Sequence, residues 1–471
     1  EGIDGSAILT HMPPEDTYNS PAAPRSIAKA EQGYLDKNIS GHALMLFGIG
    51  DGGGGPGEEH LERLERTKNL LGLSPVIQEP SWTFFEKLNE DREKFQTWRG
   101  ELYLEKHQGT LTSQARSKRY NRKMEKALRE LEFASVLAAA QFGHSYPSDL
   151  LETIWKEVLL YQFHDILPGS SIKRVYDESL IRYEELFIQT ENMIADTYSR
   201  LADQMALREK SPSVSAVVFN SLPWERQEWL HMQGRWMKVQ VPSMGYTVVP
   251  EYSNQSSIAE SGASIVLESG ILDSELHVNV EERFIESDSF FVKFDPNGAI
   301  LSILDKAEAQ EVIPQGHQGN KLRVYHDEGD AWDFSHDYSE KAGVPLTLHE
   351  IRELREGPRI GLIFQYNYGK SELTQSVILT EGSRRIDFVT KVDWRENAKM
   401  LRTSFPVNVR TDQVHCEIQF GSLSRPTHRN TMWDFAKDEI CAHQWIDISE
   451  PDYGVALLND CKYGHRAFDN V

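Results

Sequence analysis

The hydrophobic pattern of this chain changes near residues 208–213. Before this point, apolar residues recur at the three- and four-residue spacing of α-helices. After it, short apolar runs alternate with polar residues and are separated by turn residues. Such a change predicts a helical region followed by a separate β region, residues 214–471, rather than one mixed sheet. The 471 residues are enough for about two to four domains.

Residues 93–207 are predicted to form a three-helix bundle. The first helix is expected over residues 120–142. The second should begin at Ser148, directly after Pro147, because serine is a favoured residue at helix starts. The third is expected over residues 172–205. Three amphipathic helices with short connections are typical of a bundle.

Polar residues crowd the segment 98–114, just before the first of these helices. Threonine and serine side chains can accept a hydrogen bond from the free amides of a first helical turn. We therefore expect Thr112 or Ser113 to cap that helix.

The β region is predicted to form a large β-sandwich. Its clearest local signal is a hairpin, with strands over residues 290–294 and 299–304 and an Asn297-Gly298 turn between them. Asn-Gly is favoured where both central residues of a two-residue turn need a positive φ. Further buried strands are expected over residues 386–392 and 455–458.

Residues 1–92 follow the order strand, loop, helix, strand. A short buried strand is expected over residues 43–47, and a glycine-rich loop over residues 48–57 follows it. A helix carrying Leu61 and Leu64 comes next, and a further strand is expected over residues 75–77. This order is typical of a β/α unit with a parallel sheet.

The glycine-rich loop allows three interpretations. Residues 48–53 match the dinucleotide-binding pattern G-x-G-x-x-G, with Glu79 where a ribose-binding acid would lie. A dinucleotide-binding oxidoreductase is therefore one alternative, although Asp51, Glu58 and Glu59 would repel a pyrophosphate. The loop could instead present Asp51 as a functional carboxylate at the end of a strand. It could also be a flexible loop with a solvated Asp51.

His164-Asp165 follows the second helix of the bundle and precedes a Pro-Gly break. A histidine there is a candidate metal ligand, and the neighbouring Asp165 could support it or bind a sugar hydroxyl. A helix cap or a core residue is the structural alternative. One histidine does not make a zinc site, which needs three or four protein ligands. The chain contains no H-E-x-x-H and no H-x-D motif.

The segment 325–334 combines acidic and aromatic side chains, including Asp330, Trp332 and Asp333. Carboxylates accept hydrogen bonds from sugar hydroxyls, and aromatic faces pack on sugar C–H groups. The segment is therefore a candidate sugar-binding lip. A calcium-binding loop and a plain acidic surface are the alternatives.

Charge and cysteine content exclude several classes of function. Lys and Arg total 50 against 72 Asp and Glu, giving a net charge of −22. Such a chain is repelled by nucleic acids and anionic membranes, and it has no apolar run of the roughly 20 residues that span a bilayer. The cysteines are Cys416, Cys441 and Cys461, without a C-x-x-C motif. This argues against a disulfide framework and against a thiolate zinc site, and it favours a reducing compartment.

Taken together, these segments resemble α-mannosidases of glycoside hydrolase family 38, close to the cytosolic and bacterial branch. The resemblance extends over nearly the whole chain in unbroken order. It is carried by residues 1–6 (EGIDGS), 11–14 (HMPP), 50–56 (GDGGGGP), 100–105 (GELYLE), 162–165 (QFHD), 425–428 (RPTH), 433–434 (WD) and 456–460 (ALLND).

The resemblance implies a retaining glycosidase with a zinc ion that grips mannose hydroxyls. It implies that His164 is a metal ligand, that Asp165 contacts the substrate, and that Asp51 is a candidate general acid. Some relatives place the acid one position later, where this chain has Gly52. We expect these groups and the 325–334 segment to converge on one sugar. The remaining candidate substrate contacts are Asp4, Asp330, Trp332 and Asp333.

The family's other zinc ligands, an H-x-D pair, and its nucleophile motif, D-x-F-G, precede the E-G-x-D-G-S segment. We therefore expect this chain to be a fragment: residues 1–92 the last part of an α/β catalytic barrel, residues 93–207 the helical middle domain and residues 214–471 the β-sandwich. The expected partner is a mannose-containing oligosaccharide, and self-association into a homo-oligomer is left open. The alternative is a carbohydrate-binding or assembly module without catalysis.

Overall fold

A computed structural model of the chain describes residues 1–209, 214–232, 234–250, 265–266, 276–335 and 337–469. The chain divides into two compact units, Glu1–Leu102 and Tyr103–Val471. Residues 210–213, most of the segment where the hydrophobic pattern changes, lie outside the described residues. The division into domains at 1–92, 93–207 and 214–471 stays a prediction.

The first unit is built from short helices and extended segments. Its helices are α1 (Pro24–Gly33), α2 (Glu58–Thr67) and α3 (Ser81–Asn89), and a 3₁₀ turn follows at Arg92–Lys94. The helix predicted after the glycine-rich loop is thus confirmed as α2.

The two strands predicted in the first unit are wrong. In residues 1–102, all of which the structure describes, the β pairing is a single parallel bridge between Ser20 and Phe47. A strand needs a hydrogen-bonded neighbour along its length, and neither segment has one. Ala43 and Ile77 are also exposed rather than buried. The predicted tail of an α/β barrel therefore has no regular sheet here.

The predicted bundle is confirmed. It consists of α4 (Ala115–Phe142), α5 (Ser148–Tyr161) and α6 (Lys173–Glu209). Helix α4 ends at Phe142. Gly143 follows it with a left-handed backbone (φ 69°), and its amide donates to the carbonyl of Ala139. The buried core between the helices consists of Met124, Leu128, Leu131, Leu151, Ile154, Val158, Tyr183 and Leu186.

The β region is rich in antiparallel sheet. Its strands are β1 (Val214–Phe219), β2 (Arg226–Met232), β3 (Arg235–Val241), β4 (Tyr246–Pro250), β5 (Ile265–Val266), β6 (His277–Asn279), β7 (Phe284–Glu286), β8 (Phe290–Phe294), β9 (Ile300–Asp305), β10 (Gln310–Glu311), β11 (Arg323–His326), β12 (Val344–Pro345), β13 (Thr347–Glu356), β14 (Arg359–Tyr368), β15 (Ser371–Thr380), β16 (Ile386–Asp393), β17 (Lys399–Arg402), β18 (Gln413–Ile418), β19 (Gly421–Pro426), β20 (Ile440–Cys441), β21 (Trp445–Ser449), β22 (Gly454–Leu458) and β23 (Gly464–His465). A short helix, α7 (Met432–Ala436), and a 3₁₀ turn at Tyr338–Glu340 interrupt them.

The larger sheets share one hydrophobic core, as in a β-sandwich. A five-stranded sheet has the order β10-β9-β8-β7-β6, and two four-stranded sheets have the orders β13-β14-β15-β16 and β19-β18-β21-β22. Phe294 on β8 and Phe364 on β14 pack with ring centroids 5.1 Å apart, which joins two of the sheets. Buried residues of all three sheets belong to the same cluster.

The predicted hairpin is confirmed. Its strands are β8 and β9, and their pairing extends from Phe290 opposite Asp305 to Phe294 opposite Ile300. Gly298 in its turn has a φ of 84°, and a side chain there would collide with the Tyr366 hydroxyl. The strands predicted over residues 386–392 and 455–458 exist as β16 and β22, but the prediction that they are buried is wrong. Both lie at sheet edges, where Val389 and Leu458 are exposed.

Among the described residues, no helix combines the length and apolar character needed to cross a bilayer.

Candidate functional site

The first unit holds Asp51 in a defined position on its exposed surface. The Tyr18 hydroxyl donates to both oxygens of the Asp51 carboxylate at 2.9 Å, which raises the pKa of Tyr18. Asp51 itself has a left-handed backbone (φ 52°). The Gly50 amide donates to Asn19 Oδ1 at 2.7 Å, and a Cβ on Gly50 would lie 2.5 Å from that oxygen. These contacts favour the interpretation that the loop presents a carboxylate over that of a loose loop.

The dinucleotide-binding alternative does not fit this loop. Such a site needs a strand before the loop. Residues 43–47, which precede the loop and are all described, do not form a strand. Exposed Glu58 and Glu59 occupy the first turn of α2, where a phosphate would have to bind. Glu79, the candidate ribose ligand, is instead paired with Lys87 at 2.7 Å.

Asp4 also lies in the first unit, in a tight turn. The amide and the hydroxyl of Ser6 each donate to its carboxylate at 2.9 Å, and these bonds hold the pKa of Asp4 below its usual value. Its carboxylate is exposed. Asp4 therefore has a turn-forming role and is also accessible to a ligand.

In the second unit, His164 and Asp165 lie on a loop between α5 and α6, residues 162–172, called the His164 loop below. The His164 side chain is 74% exposed, with Nε2 3.6 Å from Asp165 Oδ2. Its exposure excludes the alternative of a core histidine. The pair is therefore available to a ligand from solvent.

The His164 loop is fixed by hydrogen bonds on both sides of this pair. Gln162 Nε2 donates to Asn121 Oδ1 at 2.9 Å and to Glu125 Oε1 at 3.1 Å, both on α4. Beyond the pair, Ser171 Oγ donates to the carbonyl of Asp165 at 2.6 Å. The backbone that carries the imidazole and the carboxylate is thus held in place.

These residues do not complete a zinc site. His164 and Asp165 supply two donors, whereas protein zinc sites use three or four. Across the described residues, no group of three or more His, Cys, Asp or Glu side chains could hold a metal ion. A zinc ion bound at His164 would need ligands in addition to this pair.

Residues 327–334, which follow β11, are called the lip loop. Asp330 Oδ1 accepts the amides of Trp332 (2.8 Å) and Asp333 (3.0 Å), which hold the pKa of Asp330 below its usual value. Phe334 is buried against Tyr338 and anchors the end of the loop. Asp330 is exposed and Trp332 partly exposed, so the loop offers a carboxylate and an aromatic ring to solvent.

The lip loop is tied to the segment that precedes α4. Asp333 Oδ1 accepts the amides of His107 (2.5 Å) and Gln108 (3.2 Å). The His107 ring lies 4.8 Å from the Trp332 ring, measured between centroids. Asp333 thus fixes the loop in place, and because its side chain is still 42% exposed, its predicted sugar contact stays a prediction. His107 contacts the candidate site although sequence reasoning assigned it no role there.

Residues 109–118 contact both loops. Ser113 Oγ donates to the carbonyl of Ala331 in the lip loop at 3.0 Å. Lys118 Nζ donates to the carbonyls of Ser113 (2.5 Å), Leu167 (2.8 Å) and Pro168 (3.3 Å). The start of α4 therefore brings together the loops that carry His164, Asp165 and Trp332.

The expectation that Thr112 or Ser113 caps α4 is wrong. The residue at the cap position is Gln114, in a left-handed conformation (φ 53°), and it makes no side-chain cap. The single hydrogen of the Ser113 hydroxyl is instead shared between the carbonyls of Gly109 and Ala331, each 3.0 Å from Oγ. Its contact with the lip loop replaces the predicted capping bond.

A buried ion pair contacts Tyr338, the residue against which Phe334 of the lip loop packs. The Glu439 side chain is 1% exposed and lies 2.6 Å from Arg402 Nη1, and the Tyr338 hydroxyl donates to it. Burial raises the pKa of Glu439, while Arg402 opposes that effect. The Tyr103 hydroxyl donates to the Glu439 carbonyl at 2.6 Å and accepts from Gln108 Nε2 at 2.8 Å. The segment before α4 is thus joined to the β region at Glu439 as well as at the lip loop.

Three family models match successive parts of the chain. The glycosyl hydrolases family 38 N-terminal domain matches residues 1–101, the alpha mannosidase middle domain residues 105–201, and the glycosyl hydrolases family 38 C-terminal domain residues 285–471.

Curated relatives are similar over almost the whole chain. Alpha-mannosidase 2C1 of Homo sapiens is 36% identical over 488 residues, covering 98% of this chain and 44% of the relative. Alpha-mannosidase G of Dictyostelium discoideum is 34% identical over 514 residues, covering 99% of this chain and 47% of the relative. The chain thus spans less than half the length of these relatives.

Among solved structures, an alpha-mannosidase from Enterococcus faecalis V583 matches with a TM-score of 0.69 at 16% identity. The match covers 95% of this chain and 61% of that one, and it shows a shared fold.

Proposed function

This chain belongs to glycoside hydrolase family 38, and from that membership we propose that it forms part of the active site of a zinc-dependent, retaining α-mannosidase. The substrate would be terminal α-linked mannose of oligosaccharides, and the setting cytoplasmic glycan breakdown. The observation that carries the proposal is the exposed His164–Asp165 pair on a loop fixed by hydrogen bonds.

Each group in the second unit has a proposed role. His164 is one ligand of the zinc, which when bound would grip neighbouring mannose hydroxyls; its other ligands would have to be supplied by residues other than this pair. Asp165 accepts hydrogen bonds from sugar hydroxyls. Trp332 packs its ring on the C–H face of a sugar, and Asp330 offers a carboxylate beside it.

Asp51 is the proposed general acid, and Asp4 a further substrate contact. Both are exposed carboxylates held by neighbouring hydroxyl groups, Tyr18 in one case and Ser6 in the other. A retaining glycosidase needs a second carboxyl about 5–5.5 Å from the acid, acting as the nucleophile. We assign no residue of this chain to that role.

The first test measures metal binding. In calorimetric titration with zinc, the 471-residue chain should bind weakly, because affinity falls steeply when ligands are lost. His164→Ala should abolish the binding that remains, and His349→Ala, which removes an exposed histidine on β13, should not change it. Equal binding by wild type and His164→Ala would contradict the role proposed for His164.

The second test measures turnover of an aryl α-mannoside with added zinc. With two metal donors at His164–Asp165 and no assigned nucleophile, we expect no measurable hydrolysis by this chain alone. Turnover that His164→Ala abolishes would refute this expectation and would mean that another carboxylate, such as Asp4 or Asp330, completes the site.

A carbohydrate-binding module without catalysis is the second candidate function. The observation that favours it is the incomplete donor set at His164. Calorimetry with methyl α-mannoside separates the two candidates when it is combined with the turnover assay. The turnover assay is repeated after adding the part of an α-mannosidase relative that this chain does not match. Sugar binding without turnover in both assays would support the module.

A further inference from the structure

We infer that Lys118 is a positioning residue that holds the His164 loop and the lip loop in fixed positions relative to each other. The inference rests on the proposed function for its meaning, since it concerns the loops that carry the proposed sugar and metal contacts. The contacts that carry it are the hydrogen bonds from the buried Lys118 amino group to Leu167 and Pro168 of the His164 loop and to Ser113, whose hydroxyl in turn contacts the lip loop.

The chemistry of Lys118 fits this role better than a packing role. Its side chain is 4% exposed, and a buried ammonium is costly unless its hydrogen bonds are made. Among the described residues, Nζ donates to three backbone carbonyls, which matches the three N–H donors of an ammonium group. An apolar side chain would pack there at lower cost. Burial lowers the pKa of Lys118 to about 7, and the three carbonyls that its amino group joins explain why a lysine occupies this buried position.

Two of those carbonyls belong to Leu167 and Pro168, at the far end of the His164 loop. The approach is close: Gly169 has a φ of 115°, and a Cβ there would lie 2.5 Å from the Ser113 Cβ. The ammonium therefore fixes the loop at a point where its backbone nearly touches the start of α4.

The third carbonyl belongs to Ser113, which connects Lys118 to the lip loop. The Ser113 carbonyl accepts from Lys118, while its hydroxyl donates to Ala331. Loss of the ammonium should therefore loosen both loops. Loss of the Ser113 hydroxyl should loosen the lip loop alone. This asymmetry distinguishes a positioning role from general support of the fold.

Hydrogen–deuterium exchange of the whole chain, followed by mass spectrometry, tests this asymmetry. Lys118→Met should speed amide exchange by about tenfold or more in peptides from both loops, because local opening sets the exchange rate. Ser113→Ala should do so only in peptides from residues 327–334. Lys126→Met, which removes an exposed lysine of the same helix, should change neither loop.

Wild-type exchange in both loops of Lys118→Met would overturn the inference. So would uniform faster exchange throughout the second unit, since that would indicate general support. If Lys118→Met does not fold, exchange in Ser113→Ala tests the inference. Faster exchange in both loops of that variant, or in neither, would contradict the proposed link through Ser113. None of these measurements needs sugar or metal, so they stand if the proposed function fails.

Sugar binding provides a readout that packing alone would not move. In calorimetry with methyl α-mannoside, Lys118→Met should bind about tenfold more weakly, a change of about 1.4 kcal/mol. Lys118→Arg keeps a cation with several N–H donors and should bind within about threefold of wild type. Equal weakening by both substitutions would contradict the positioning role. No binding by the wild type would count against the proposed function, with the exchange result unaffected.

Discussion

Acidification should destabilise the second unit through His465. This histidine lies on β23, which pairs with β20, and it is 8% exposed. Its Nδ1 is 3.1 Å from the carbonyl of Tyr463, so Nδ1 carries a proton and donates. Burial lowers the pKa of His465 to about 4; the Tyr463 carbonyl opposes this, and Arg402, Arg425 and His443 reinforce it.

The pH window and the magnitude follow from that pKa. An unfolded histidine has a pKa of about 6.5, so between pH 6.5 and 4 the unfolded chain binds more protons than the folded one. Stability therefore rises with pH in this window. The stabilisation that the neutral, buried His465 contributes is complete above pH 6.5 and is lost as the pH falls towards 4. A difference of about 2.5 pH units corresponds to about 3 kcal/mol in all, and to about 2 kcal/mol already lost at pH 5.

Urea unfolding at pH 7 and pH 5, monitored by tryptophan fluorescence, measures this effect. Other groups titrate in the same range, so the informative quantity is the difference between wild type and His465→Asn. The asparagine amide can still donate to the Tyr463 carbonyl but does not titrate. The wild type should lose about 2 kcal/mol more than the variant between the two pH values. His349→Asn, an exposed control, should behave as wild type.

Equal losses in wild type and His465→Asn would refute the reasoning. They would show that the ring is solvated, or already protonated, in the folded protein at pH 5.

Other predictions concern the β region. Phe294→Ala, in the shared core, should cost about 3–5 kcal/mol in urea unfolding, whereas Val389→Ala on an edge strand should cost less than about 0.5 kcal/mol. Gly298→Ala should cost more than the about 1–2 kcal/mol of a left-handed backbone, because φ at that turn is 84° and the new Cβ would also collide with the buried Tyr366 hydroxyl. Glu439→Ala should cost about 3–5 kcal/mol, because it leaves Arg402 buried without its carboxylate. A larger loss of stability for Val389→Ala than for Phe294→Ala would contradict the assignment of these residues to the edge and to the core.

The helices and the hairpin could be predicted because their signals are local. Helix α5 begins at Ser148 as expected, and the spacing of Leu151, Ile154 and Val158 is the spacing of the buried face itself. The Asn297-Gly298 turn fixes the pairing of β8 with β9 within a few residues. In each case the interacting residues are close in sequence, so their pattern is visible without the fold.

The strands predicted in the first unit fail for the opposite reason. A short apolar run becomes a strand when another segment pairs with it, and the sequence of residues 43–47 does not reveal a partner. The misjudged burial of β16 and β22 has the same origin. A run rich in valine suits a central strand and an edge strand equally, and the position within the sheet is decided by the other strands.

The candidate site shows how far sequence alone could lead. His164, Asp165 and Trp332 could be selected because imidazole, carboxylate and aromatic ring suggest chemistry by themselves. Lys118 and His107 could not, because their roles depend on distant partners. His107 meets Asp333 across 226 positions of sequence, and Ser113 meets Ala331 across 218.

The groups that would meet a ligand and the groups that hold them differ in burial. His164 and Asp330 are exposed on loops, whereas Lys118 and Glu439 are buried with their hydrogen bonds made inside the protein. A loop without such contacts would sample many conformations, and ordering it on binding would reduce affinity. The buried polar residues therefore order the exposed loops to which we propose that a ligand binds. Substitutions at Lys118 or Ser113 should for this reason affect ligand affinity without removing any group that touches the ligand.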